Sequence, residues 1–158
     1  MNIRSLSPAD CDWVKRHIAE HWGAEIVVAH GTIYHPAALP GFVAEMAGEV
    51  AGLVTFHIAG GACEIVTLDS LRPDQGIGTA LIEAVKAAAD AAGCRRLWLI
   101  TTNDNLHALG FYQKRGFRLA AVHPGAVNES RKLKPEIPLI GNDGIPIRDE
   151  IELEIVLT

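Results

Sequence analysis

The 158-residue chain has three cysteines, no long apolar run, and 14 basic residues against 19 acidic ones. Each shortage removes a class of function. Cys11, Cys63 and Cys94 are odd in number and form no close pair, so neither a disulfide framework nor a cysteine-bound zinc is expected. They read as small core residues of a cytoplasmic protein. Hydrophobic residues make up 49% of the chain, yet no stretch approaches the ~20 apolar residues of a membrane span. The opening Met1-Asn-Ile-Arg-Ser5 leads to a capped helix rather than an apolar leader, so a cytoplasmic protein without a membrane partner is expected. A net charge of −5 argues against nucleic acid as the main partner and mildly favours a cationic acceptor such as an amine. With no internal repeat or low-complexity segment, the length fits a single domain over residues 1–158.

What is present is concentrated in Arg72-Pro-Asp-Gln-Gly-Ile-Gly-Thr-Ala-Leu-Ile-Glu-Ala-Val85. Gly76 and Gly78 stand where a predicted strand, Cys63–Ser70, gives way to a predicted helix. Ile77, Ala80, Leu81, Ala84, Val85 and Ala88 then recur at helical spacing. A glycine turn that opens a helix points unpaired N–H groups outward at the positive end of the helix dipole, which suits phosphate. Two familiar phosphate loops are excluded. A P-loop needs Gly-Lys-Ser/Thr, and Gly78 is followed by Thr79-Ala80. A dinucleotide fingerprint needs a small residue where Leu81 stands and a carboxylate near Arg95-Arg96.

The remaining pattern alternates strands with helices. Asn2–Leu6 is a short strand, and Ser7-Pro-Ala-Asp10 starts a helix whose face is Cys11, Val14, Ile18 and Trp22, stopped by Gly23. Phe42–Ala47 and Val50–Ile58 form a hairpin around Gly48, and Gly60-Gly61 turns into Cys63–Ser70. The helix from Gly76 ends near Gly93, and Leu97–Thr101 is a buried strand. A helix from Asn105, a strand at Leu119–Val122 and a last strand at Glu150–Leu157 complete an α/β sheet of mixed direction. Ala24–Pro40 and Pro124–Arg148 carry no regular pattern beyond a turn or two of helix at Asn128–Lys134. They are expected on the acceptor side of a site, the second also as a dimer contact.

Asn105-Leu-His-Ala-Leu-Gly-Phe-Tyr-Gln-Lys-Arg-Gly-Phe117, taken with Gln75-Gly-Ile-Gly78, resembles the GNAT superfamily of acyl-CoA-dependent N-acetyltransferases over residues 50–123. The resemblance implies a mixed, mostly antiparallel central sheet of about six to seven strands flanked by helices. It implies acetyl-CoA as cofactor, held by the backbone of Leu68, Asp69 and Ser70 along the pantetheine arm. Gln75, Gly76, Ile77, Gly78, Thr79 and Ala80 would donate to the pyrophosphate, and Asn105 would contact the arm or cap its own helix. Tyr112 would act as general acid toward the leaving thiolate. The family carries Arg or Gln where Pro73 stands, so the side chain backing the phosphates is open. For the general base the candidates are Glu64 and Asp69, whose odd separation on one strand places them on opposite faces. His57 and His123 are outside candidates.

The acceptor is a small-molecule or peptide amine, with a homodimer possible. An acyl-CoA-binding module that transfers nothing is the alternative. His17-Ile-Ala-Glu-His21 also fits an inverted zinc-peptidase motif, a more distant reading without a third ligand in the sequence, so no metal site is expected.

Overall fold

The computed structural model describes residues Met1–Thr158. β1 (Asn2–Ser5) passes through a short turn at Pro8–Asp10 into α1 (Cys11–Trp22). The Asp10 carboxylate accepts the Ser7 N–H at 2.8 Å and is gripped by Arg4 at 2.8 and 2.9 Å, so an ion pair reinforces the helix start. Arg4 in turn holds Asp10 well below the ordinary carboxylate range. A small hairpin follows, β2 (Val27–Ala29) and β3 (Thr32–Tyr34), inside the segment where no pattern was visible. Three-residue strands are too short for a period-2 signal to rise above chance.

The rest of the chain supplies β4 (Gly41–Met46), β5 (Glu49–Ala59), β6 (Ala62–Ser70), α2 (Ile77–Ala91), β7 (Arg96–Thr102), α3 (Leu106–Gln113), β8 (Arg118–His123), α4 (Ala126–Leu133) and β9 (Glu150–Val156). Seven strands form one sheet in the order β1-β4-β5-β6-β7-β9-β8. Only β6 and β7 run parallel, bridged by α2 as crossover. The mostly antiparallel sheet implied by the resemblance is therefore present. The last strand lies inside the sheet, where Leu153 is fully buried.

Each face of the sheet has its own core. Ile77, Leu81, Ile82, Val85 and Ala89 of α2 are at most 1% exposed against Ala44, Val54, Phe56 and Ile65. Each fully buried aliphatic side chain contributes roughly 1.5–3 kcal/mol. On the opposite face α1 and β2 lay Val14, Ile18 and Val27 on Val43 and Leu53.

Two local departures in β6 shape the site. Thr55 pairs with Thr67 and Phe56 with Ile65, which leaves Val66 as an extra residue, a bulge. The bulge reverses the alternation, and here the opposite-face expectation fails. Leu53 faces Asp69, Thr55 faces Thr67 and His57 faces Glu64, so both carboxylates lie on the face covered by α1 and the β2–β3 hairpin. Secondly, β6 pairs with β7 only over Ala62–Ile65. From Val66 to Ser70 it has no partner on that side, and the strands splay into a cleft.

Candidate active site

The cleft is a cavity of about 340 Å³ with Leu68, Asp69 and Ser70 on one wall and Thr101, Asn105 and Tyr112 on the other. The free edge of β6 offers its N–H and C=O groups to an extended ligand as a missing strand would. Ser70, Gly78 and Phe111 also line an adjoining cavity of about 560 Å³, which runs over Gln75, Gly76, Ile77 and Thr79 to Lys114 and Arg115.

Gly76 caps α2 with φ +73°, a left-handed conformation that favours glycine. Gly78 matters for a different reason: a Cβ there would stand 2.7 Å from the tip of the Phe111 ring, so a larger residue would have to push that ring aside for α3 to close on the loop. The first N–H groups of the helix, on Ile77, Gly78 and Thr79, have no intrahelical acceptor. Ala80 departs from the expectation, because its N–H donates to the Gly76 carbonyl at 3.0 Å and is spent on the first turn.

Pro73 leaves no side chain behind the loop, and Arg72 is turned away onto Glu49 at 2.8 Å. The nearest cation comes from the far wall. Arg115 lies over the Phe111 ring at 3.6 Å and donates to Thr79 Oγ1 and the Phe111 carbonyl, both at 2.8 Å. With Lys114 beside it, positive charge reaches this adjoining cavity from the end of α3. In the sequence this charge is marked only by the Lys114-Arg115 pair directly before Gly116.

Tyr112 is 8% exposed, packed edge-to-face on Phe111 and Phe117. No buried polar side-chain atom in the molecule lacks a partner, so its otherwise unbonded hydroxyl opens on the cleft. Burial, and behind it the Asp69 carboxylate, push the phenol above its ordinary value, and it keeps its proton. Asn105 caps α3, its Oδ1 accepting the Ala108 N–H at 3.1 Å while the side chain also lines the cleft.

The two carboxylates of β6 have different surroundings. Asp69 Oδ2 accepts His17 Nε2 at 2.9 Å and Trp22 Nε1 at 3.1 Å, which leaves Oδ1 for the cleft that Asp69 lines. Glu64 is 3% exposed, with Oε1 taking the Tyr34 hydroxyl at 2.5 Å and both oxygens within 3.0 Å of His30 Nε2. The Glu64 hydrogen bond raises the His30 pKa, and burial followed by Glu64 raises that of Tyr34. Glu64 is thus a buried anchor for the β2–β3 hairpin. The His57 ring lies tilted against Tyr34 at 5.6 Å, and His123 pairs with Glu152 at 3.1 Å on the far edge of the sheet.

His17 and His21 stack at 4.2 Å, but His17 is committed to Asp69 and His21 Nδ1 to the His17 carbonyl at 3.0 Å. No group of three or more His, Cys, Asp or Glu side chains is placed to hold a metal ion. Burial pushes the Cys63 thiol up to about 12, which leaves it protonated and a poor nucleophile.

A splayed parallel strand pair, a Gly-x-Gly helix start and a cleft-facing tyrosine coincide with a family match. Residues 10–117 fit the model of the acetyltransferase (GNAT) family. The chain belongs to this family. As a GNAT protein it is an acyltransferase. It is 49% identical to the uncharacterized protein YdhI of Bacillus subtilis (strain 168) over 84% of each chain. It is 43% identical to the uncharacterized protein YxbD of the same organism over 97% of each. Among solved GNAT-like structures, the fold matches an IAA acetyltransferase from Bacillus cereus ATCC 14579 at TM-score 0.72 and 21% identity, over 99% of both chains. It also matches a GNAT family acetyltransferase from Elizabethkingia anophelis solved with acetyl-CoA bound, at TM-score 0.70 and 22% identity, over 99% of this chain and 97% of that one.

Proposed function

We propose that this chain moves an acetyl group from acetyl-CoA directly to a primary amine, with Tyr112 as general acid and Asp69 as general base. The observation that carries the proposal is that Tyr112 and Asp69 line one cleft beside the unpaired edge of β6, with His17 and Trp22 both bonded to Oδ2 of Asp69. The cosubstrate fits the residues present. The free edge at Leu68–Ser70 suits an amide-bearing arm, the N–H groups at Ile77–Thr79 suit a pyrophosphate, and Arg115 with Lys114 supplies the charge. Acetyl-CoA provides the acetyl thioester. Asp69, steadied by His17 and Trp22, takes a proton from the amine, directly or through water. The protonated phenol of Tyr112 gives its proton to the departing thiolate. The raised thiol of Cys63 supports transfer without an acyl-enzyme.

The test is incubation with acetyl-CoA and a panel of primary amines, reading free thiol and product mass together. One acetylated amine per thiol released, with no mass added to the protein, is expected. Thiol release with the acetyl group left on the protein would overturn direct transfer.

Arg115 has its own consequence. Arg115→Ala should weaken acetyl-CoA binding roughly 10-fold or more, the usual worth of a charge-assisted hydrogen bond. S-acetylpantetheine, which has no pyrophosphate, should bind both proteins alike. Calorimetric titration with the two thioesters separates a phosphate contact from a general loosening of α3.

A further inference from the structure

Behind the cleft lies a cavity that the catalytic groups leave unused. It measures about 340 Å³ and is walled by Trp22, Val27, Ile137, Ile147, Lys134 and Glu150. Trp22 lines both this cavity and the cleft. Its indole N–H holds Asp69, and its backbone carbonyl accepts from Lys134 at 2.6 Å. A group in the inner cavity therefore lies one side chain away from the cleft-facing carboxylate.

Lys134 is the unusual member. It is 5% exposed, at the end of α4, and no carboxylate stands within ion-pair distance of it. Its ammonium has two backbone acceptors, the carbonyls of Trp22 and Ile26, and three protons to give. A buried cation without an ion-pair partner in contact is expensive, and desolvation lowers its pKa against a smaller opposing pull from Glu136. An anion in the cavity would complete the pair. Of the two carboxylates on the same walls, Glu150 is directed to the His30 N–H at 3.0 Å and Ser130 Oγ at 3.3 Å and makes no ion pair with Lys134. Glu136 is exposed, where water screens it. Val27, Val28, Val127, Ile137 and Ile147 give the remaining walls an aliphatic side, with His21, Thr102 and Ser130 as polar members, and the volume suits a molecule of amino-acid size.

We propose that the acceptor is a small amine with an apolar side chain and its own carboxylate, an α-amino acid or close analogue, bound beside Trp22 with the carboxylate toward Lys134 and the amine toward Asp69. This rests on the acetyl-transfer reading above. The amine nitrogen bonds to the acetyl carbon as the carbon–sulfur bond breaks. Asp69 receives the amine proton, and the thiolate is protonated by Tyr112.

The experiment compares leucine, leucinamide and 3-methylbutylamine with the wild-type protein at saturating acetyl-CoA, reading kcat/KM from thiol release and product mass. Leucine should exceed both analogues on the order of 100-fold, the worth of a buried charge-assisted contact. Lys134→Gln should bring the three toward parity by raising KM for leucine, while Lys134→Arg retains part of the preference. Acetyl-CoA affinity should be unchanged in both variants. Leucine titrated into the CoA-loaded protein should bind wild type and not Lys134→Gln, a readout independent of turnover. Amines of the trio acetylated within about threefold of each other by the wild-type protein would overturn the assignment and leave acetyl transfer standing. A leucine preference that persists in folded Lys134→Gln would overturn it equally. If Lys134→Gln does not fold, the wild-type comparison decides alone. Acetyl-CoA binding with none of a broad amine panel acetylated would instead overturn the transfer reading itself, and this assignment with it.

Discussion

Tyr112→Phe should lower kcat by about 100- to 10,000-fold, the span over which a positioned general acid contributes. Acetyl-CoA affinity should change little. The physical reason is that the hydroxyl and the ring do separate work. The ring carries the packing, with centroids 5.2 Å from Phe111 and 5.3 Å from Phe117, and phenylalanine preserves both contacts. The hydroxyl holds nothing in the fold and faces the cleft, so its loss leaves no buried group unpaired. Stability measured by thermal unfolding should therefore stay close to wild type while turnover collapses. A variant that turns over normally would remove Tyr112 from the chemistry and leave it as an aromatic anchor.

Asp69→Asn is the second large effect, with kcat/KM expected to fall about 100-fold or more near neutral pH. An asparagine oxygen can still accept from His17 and Trp22, so the local scaffold survives. What is lost is the proton acceptor on the cleft. Activity should recover as pH rises toward the amine's own pKa of ~10, because the acceptor then arrives already neutral. Glu64→Gln is the control. Its carboxylate is turned to His30 and Tyr34, so removing the charge should loosen the β2–β3 hairpin more than it slows the chemistry. If Glu64→Gln loses turnover with alkaline recovery and Asp69→Asn does not, the base is Glu64, working through His30.

The carboxylate assignment shows where linear reading stops. Residues 64 and 69 are five apart, and in a regular strand that is an odd count with opposite faces. One bulged residue, Val66, cancels the parity, and nothing in Glu64-Ile-Val-Thr-Leu-Asp69 marks it. Bulges are set by how two strands twist against each other. The same holds for Arg115. Its role depends on α3 packing across Gly78, where Phe111 meets a residue 33 positions earlier in sequence. Ala80 shows a finer limit: whether an amide at a helix start is free depends on which turn closes first.

The sequence by itself determined the order of elements from β4 to β8, the helix start at Gly76-Ile-Gly78 and the placement of Asn105 and Tyr112 on one short helix. These are local: glycine conformations, a 3.6-residue period and cap chemistry act within a few residues, and the chain states them directly. The tertiary structure alone decided that β6 and β7 part after Ile65, that Asp69 rather than Glu64 meets the cleft, and that Lys134 is buried beside Trp22. Each depends on contacts between residues far apart in sequence, 112 positions in the case of Lys134 and Trp22. Such contacts are chosen by whole-molecule packing, and neither pattern nor propensity encodes them.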